Sequence, residues 1–322
     1  MSEPEGLKGA PEASGKALRL LVIGGSGFLG RHVWRQAAAA CVAVVTAGRA
    51  ALPESPVHRR VDLATDDPAS IAEMIASVAP DAIANCAGAT VGGPDVLAPL
   101  NVTGTYALVR AMLLAGTQAR LVHLGSAAEY GLGEPGVPVT ESAPPRPAAA
   151  YGATKLAGTR LVELGRASGL DAVVLRVFNP VGSGAPGSGL PGRLAAEVRR
   201  ALADGTDVQL GSLDAVRDFV DARDVAAAVL AAAAAPALPH AVLNIGSGVG
   251  VPARTLVKEL IAITGYAGAV HEDAAGSARS PDRSWQQADI ARAGLDLGWR
   301  PRHDLAASLT DLWEASGGKA GV

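Results

Sequence analysis

The chain has 322 residues, 49% of them apolar and 18% charged, with a formal net charge of −3. That composition is globular and gives room for one large α/β domain or two smaller ones sharing a sheet edge. It excludes an electrostatic case for nucleic acid or an anionic membrane, because basic residues stand singly or in pairs such as Arg59-Arg60 and Arg199-Arg200.

Residues 1–16 are rich in Glu, Pro, Gly and Ser, carry no hydrophobic run, and read as a disordered cytoplasmic tail. Apolar, β-branched runs at Leu18–Ile23, Val42–Thr46, Asp81–Asn85, Leu121–Leu124 and Val173–Val177 then read as buried parallel strands. Between them Phe28–Ala40, Pro68–Val78, Asp95–Gly116 and Ala149–Ser168 are long enough for crossover helices. Such alternation predicts an α/β fold, a doubly wound parallel Rossmann sheet with right-handed connections. Past Asn179 the rhythm breaks into Pro180–Pro191, a run of Gly, Pro and Ser. A helix near Val220–Ala235 and a strand at Val242–Ile245 follow. We therefore expect a Rossmann domain over residues 17–178, completed by about 214–245, and a smaller interleaved substrate lobe from 179–213 and 246–322. The alanine-rich stretch Asp224–Leu238 is too short and too weakly apolar for a membrane span. Cys41 and Cys86, both in apolar strand-like surroundings, are expected to be buried reduced thiols.

The first strand runs straight into Gly24-Gly25-Ser26-Gly27-Phe28-Leu29-Gly30. Glycines at 24, 27 and 30 permit a tight turn and close approach to a pyrophosphate, which the next helix receives on its first amides. The second strand ends in Val45-Thr46-Ala47-Gly48-Arg49, with no acid to bind a ribose 2′-hydroxyl. Arg49 is placed to meet a 2′-phosphate; the alternative is an exposed surface arginine. Asp62, after the third strand, is an adenine-contact candidate. Tyr151 and Lys155, four apart, share one helix face, so the ammonium favours the phenolate and brings the phenol towards working pH. Ser126, at the end of the fifth strand, is placed to hydrogen-bond a substrate carbonyl. His58, His123, His240, His271 and His303 show no paired ligand spacing, which gives no support for a metal.

The ordered segments Gly24–Gly30, Asn85–Gly88, Asn101–Thr105, His123–Gly131, Tyr151–Lys155, Arg176–Gly184, Arg217–Val225, Asn244–Gly248 and Leu297–Pro301 carry a resemblance that spans about Leu18 to Trp313. The chain resembles the extended short-chain dehydrogenases/reductases of the NAD-dependent epimerase/dehydratase family, which epimerise, dehydrate or reduce nucleotide sugars. Within it, Gly125–Gly131 and Arg217–Val225 are similar to the GDP-4-keto-6-deoxymannose reductase branch. Dehydratases carry acids in the two positions after the Ser/Thr; here they are Ala127 and Ala128, which cannot shuttle a proton.

The resemblance implies Ser126, Tyr151 and Lys155 as the catalytic set and NADPH as cofactor, with NAD a further option. It implies that the dinucleotide meets Gly24, Gly27, Phe28, Leu29, Gly30, Arg49, Asp62, Leu63, Ala87, Gly88, Ala89, Asn101, Tyr151, Lys155, Phe178 and Val181. It also implies a nucleotide-sugar substrate held by Ser126, Glu129, Asn179, Arg217 and Arg279, and a homodimer through helices 95–116 and 149–168. Asn179 has an alternative reading as a turn cap, Glu129 as a structural acid, and Arg217 and Arg279 as ion-pair partners. The function implied is reduction of the C4 ketone of a nucleotide-linked sugar. Its rivals are an NAD-retaining epimerase and a non-catalytic dinucleotide sensor.

Overall fold

A computed structural model describes residues 17–272 and 284–317. The tail 1–16 and Arg279 lie outside the described residues.

In chain order the first half comprises β1 (Arg19–Ile23), α1 (Phe28–Ala39), β2 (Ala43–Gly48), β3 (His58–Arg60), α2 (Pro68–Val78) and β4 (Ala82–Asn85). Then come α3 (Pro94–Ala98), α4 (Gly104–Ala115), β5 (Arg120–Ser126), α5 (Ala150–Ala167) and β6 (Ala172–Val177). The second half comprises β7 (Asn179–Val181), α6 (Leu190–Asp204), β8 (Val208–Gln209), β9 (Val216–Asp221), α7 (Ala222–Ala234) and β10 (Val242–Ile245). It ends with β11 (Gly250–Pro252), α8 (Ala253–Thr264), β12 (Val270–His271), α9 (Ala291–Leu297) and α10 (Leu305–Ala315).

Seven strands form one sheet in the order β10-β6-β5-β4-β1-β2-β3, every neighbouring pair parallel. The order reverses between β1 and β4, which opens a crevice at the carboxyl ends of those strands, where the glycine turn lies. Side chains alternate along β1: Leu20 and Val22 pack with α1 and α7, through Val33, Trp34, Val225 and Val229. Leu21 and Ile23 pack the other way, with Ile71 and Ile75 of α2, Leu108 and Met112 of α4, and Val162 of α5. Both faces are thus covered, which is why the strands read as continuous apolar runs.

The smaller lobe has its own core, in which Leu194 and Val198 of α6, Leu256 and Leu260 of α8, and Leu309 and Trp313 of α10 meet. Its three-stranded sheet has the order β11-β9-β7, and β12 pairs with β8. The expected boundary needs one correction. Ala293 and Trp299 join the core of the large sheet, and the Trp299 indole donates to the Asp224 carbonyl at 2.9 Å. The segment around α9 therefore belongs with the Rossmann unit, because its apolar face fits α7 and not the lobe.

Two further expectations change. The helix predicted over 95–116 is α3 and α4 joined by a π-helical turn, Pro99–Thr103. Gly104 packs against Leu63, where an added methyl would lie 3.0 Å from the Leu63 Cβ, and Thr105 bonds back to the Asn101 carbonyl at 2.8 Å. The span Pro94–Ala115 is 22 residues long and apolar enough to cross a membrane by length and composition, but half of its most apolar 18-residue stretch is buried within the protein. Tyr106 and Leu114 on α4 and Leu164 on α5 are exposed. Cys41 is exposed, at φ 58°, in the turn after α1, and Cys86 is only partly buried. The expectation of a buried thiol fails at Cys41 because the first helix ends one turn before the second strand enters the core.

Candidate active site

The turn from β1 into α1 is built by close approach. Gly24 has φ +79°, and a methyl there would lie 2.7 Å from the Ala87 nitrogen in the loop after β4. At Gly30 it would lie 2.2 Å from the Gly24 carbonyl oxygen. The Gly27 amide bonds to that same carbonyl at 3.0 Å, and no side chain caps α1. Its first-turn amides therefore meet a cleft of about 530 Å³ lined by Gly27, Phe28 and Leu29. An uncapped helix start on a glycine turn fits a dinucleotide pyrophosphate.

The same cleft is lined by Ser126 from the end of β5 and Tyr151 from the first turn of α5. Lys155, one turn further on, is buried beneath them, and its ammonium donates to the Leu124 carbonyl. Burial lowers its pKa, while Glu129 and Cys86 act to raise it. Lys155 also lies close to the loop after β4, since a methyl at Gly88 would stand 3.9 Å from its Nζ. The Gly152 backbone abuts Ala128, where an added methyl would meet the carbonyl oxygen at 2.3 Å. This contact packs the start of α5 tightly onto the Ser126 turn.

The residues flanking this set divide between cleft and core. Gly88 and Cys86 line the cleft, and burial pushes the Cys86 thiol up to about 12, so it stays protonated. Asn101 is buried and bonds the Ala89 amide at 2.8 Å, the Ala89 carbonyl at 2.9 Å and Thr154 at 3.0 Å. The π turn swings it into place to hold the loop that includes Ala87 and Ala89. The side chains of Phe178 and Val181 are fully buried in separate clusters, and that of Leu63 is packed beneath α4, which leaves their backbones as the part able to meet a dinucleotide. Arg49 stands exposed just past β2. Asp62, past the adjacent β3, accepts the Ala64 amide at 3.1 Å, so both lie at the carboxyl end of that sheet edge.

Glu129 has the geometry of a structural acid, the second of its two expected readings. It has 0% exposure and touches no part of the cleft. One carboxylate oxygen accepts the Ser126 amide at 2.8 Å; the other accepts Thr159 Oγ1 at 2.9 Å and Arg176 Nε at 2.7 Å. Residue spacing placed an acid next to Ser126 but could not show that it turns inward.

On the substrate side, Asn179 lines the cleft and donates to the Asp218 carbonyl at 2.9 Å. Arg217 lines it as well, fixed by the Val216 carbonyl at 2.8 Å and by the Ser284 carbonyl at 2.9 Å and hydroxyl at 2.5 Å. Burial without a carboxylate partner among the described residues brings its pKa down to about 10. The neighbouring Asp218 is fully buried and accepts the Ser247 amide and hydroxyl and the Gly248 and Ala288 amides at 2.6–3.0 Å. That network ties β9 to the segments after β10 and before α9 and so places Arg217.

Sequence reasoning missed Arg193, on the first turns of α6. It lines the cleft, its Nε is buried, and its side chain makes no hydrogen bond among the described residues. The only sequence signal was its position just after the Gly/Pro/Ser loop. Among the described lining residues, Arg193 and Arg217 are the only charged side chains, and there is no carboxylate. The charge on the cleft wall is therefore cationic among the described residues.

A model described as the NAD dependent epimerase/dehydratase family matches residues 20–246. A dTDP-6-deoxy-L-talose 4-dehydrogenase (NAD(P)(+)) of Kitasatospora kifunensis is 39% identical, with 92% of this chain and 95% of that protein covered. A GDP-6-deoxy-D-mannose reductase of Pseudomonas aeruginosa is 29% identical, covering 92% of this chain and 97% of that one. Among solved structures, that of RMD from Pseudomonas aeruginosa complexed with NADPH superposes with a TM-score of 0.78 at 27% identity, covering 93% and 97% of the two chains.

Proposed function

We propose, for a chain that belongs to the NAD dependent epimerase/dehydratase family, the NADPH-dependent reduction of the C4 ketone of a nucleotide-linked 6-deoxy-4-keto sugar. The observation that carries this reading is the cleft lined by both Ser126 and Tyr151, with Lys155 buried one helical turn beyond Tyr151 and a lining that is cationic and free of carboxylates among the described residues. Two relatives whose names place their chemistry on 6-deoxy sugars support it, one of them a 4-dehydrogenase and the other a reductase.

The bound dinucleotide supplies the hydride. Ser126 donates a hydrogen bond to the ketone oxygen and polarises it. Tyr151 gives that oxygen its proton as the alcohol forms, and Lys155, a cation on the same helix face, stabilises the phenolate left behind. Gly24, Gly27, Phe28, Leu29 and Gly30 hold the pyrophosphate, and Gly88 leaves room for the cofactor beside Lys155. Arg193 and Arg217, the two cations of the described lining, take the substrate diphosphate, as guanidinium groups suit phosphate. The test is a panel of nucleotide 4-keto sugars with NADPH oxidation as the readout; a panel with no ketone-dependent oxidation overturns the reading.

Two variants probe the binding ends. Arg49→Ala should weaken NADPH by roughly 10–100-fold, the worth of a charged hydrogen-bonded partner at ~1.5–3 kcal/mol, and leave NADH nearly unchanged. Fluorescence titration of both cofactors checks it, and an equal loss for both would remove Arg49 from the 2′-phosphate. Arg193→Ala should raise the sugar-nucleotide KM by a similar factor with kcat little changed, because it contacts a part of the substrate that does not react. Steady-state kinetics showing unchanged KM would assign the diphosphate elsewhere.

A further inference from the structure

Glu129 is not part of the cleft, yet the local structure is arranged around it. An added methyl at Gly125 would lie 2.7 Å from Glu129 Oε1 and 2.8 Å from Val174, so only glycine leaves room for the carboxylate there. From that position the one group bridges the Ser126 amide at the end of β5, Thr159 on α5 two turns beyond Tyr151, and Arg176 on β6. Arg176, 3% exposed, lies over the Tyr130 ring at 4.5 Å, and the Tyr130 hydroxyl reaches Asn244 on β10 at 2.7 Å. The carboxylate thus holds the catalytic serine in register with the helix that carries Tyr151 and Lys155.

We propose that Glu129 is a positioning residue of the catalytic set, a buried carboxylate that fixes Ser126 against α5 and supplies the negative charge that acts on Lys155. The proposal rests on the reading of Ser126, Tyr151 and Lys155 given above.

The charges around Lys155 leave this role to Glu129. On α5 itself stands Tyr151, neutral before the proton is given. From the loop after β4 comes Cys86, kept as a thiol by burial. From β5 comes His123, which burial and the Lys155 charge hold well below its ordinary pKa, and whose Nδ1 meets the Asn85 amide at 3.0 Å. β6 contributes Arg176, a second cation. Burial favours loss of the Lys155 proton, and the negative charge of Glu129 opposes that loss. Without this charge the lysine gives up its proton at lower pH, and the alkaline side of the activity profile moves down with it.

Glu129→Gln and Glu129→Asp separate charge from position. The Lys155 amine is followed directly in ligand-free protein carrying 13C-labelled lysine, with Lys155→Met assigning its signal. In Glu129→Gln we expect the Lys155 titration to move down, because the anion that opposes loss of its proton is gone. The alkaline limb of kcat should shift the same way, and kcat should fall roughly 10–100-fold, the scale of a small misplacement of a reacting group. In Glu129→Asp the charge remains but the reach is short, so the titration should stay in place while kcat falls. A Glu129→Gln protein with wild-type titration and profile overturns the proposal. If that variant does not fold, Glu129→Asp and Thr159→Val decide: lower kcat with an unmoved titration supports positioning, and wild-type kcat in both overturns it. Failure of the catalytic reading itself would appear separately, as Tyr151→Phe retaining turnover, because the lysine titration needs no substrate.

Discussion

Tyr151→Phe should lower turnover by roughly 10²–10⁴-fold, the usual contribution of a positioned general acid and equivalent to ~3–5 kcal/mol of barrier. The substitution keeps the ring at the cleft wall and removes only the proton. Cofactor affinity should therefore stay near that of the parent, because the uncapped start of α1 and the glycine turn are proposed to hold the dinucleotide. Lys155→Met should lose at least as much turnover and weaken NADPH as well, since the ammonium lies beside the Gly88 loop and beneath the cleft. Ser126→Ala should fall between them with cofactor binding intact. Steady-state kinetics and NADPH titration on the three variants check the pattern. Tyr151→Phe at parental turnover on a confirmed keto sugar would refute the mechanism, and a dinucleotide sensor would show no ketone-dependent oxidation to lose.

The second large effect is expected at Gly24. An alanine there must adopt φ +79°, a region that costs an L-residue about 1–2 kcal/mol. Its methyl would also press 2.7 Å from the Ala87 nitrogen and 2.8 Å from its Cα, both backbone atoms with little room to give. Overpacking of this kind adds about 1–3 kcal/mol. Relief must come from separating the β1–α1 turn from the loop after β4, the two segments between which the dinucleotide is proposed to lie. Gly24→Ala should thus lower the melting temperature and reduce NADPH affinity on the order of 100-fold, the size of ~2–3 kcal/mol. Calorimetry and fluorescence titration read the two losses, and an unchanged affinity would show that the turn does not shape the cofactor site.

The two predictions draw on different layers of information. What the linear sequence by itself determined is local: the alternation of apolar strands with helices, the glycine turn directly after β1, and Tyr151 and Lys155 one helical turn apart. Each is set by contacts within a few residues or by burial on both faces of a sheet, so periodicity and spacing reveal it. The helix at Pro68–Val78 and the strand at Val242–Ile245 have their predicted bounds for that reason. Tertiary structure alone decided which way several side chains turn. Glu129 faces inward because Arg176 and Thr159, 47 and 30 residues away, offer it a cation and a hydroxyl. Asn101 serves Ala89 because a π turn over Leu63 rotates it there, and Phe178 and Val181 disappear into cores built from distant segments. Arg193 reaches the cleft because α6 of the smaller lobe closes over the carboxyl ends of the large sheet. Long-range packing sets each of these, since a buried charge must find its partner wherever the fold brings one, and no spacing along the chain records that encounter.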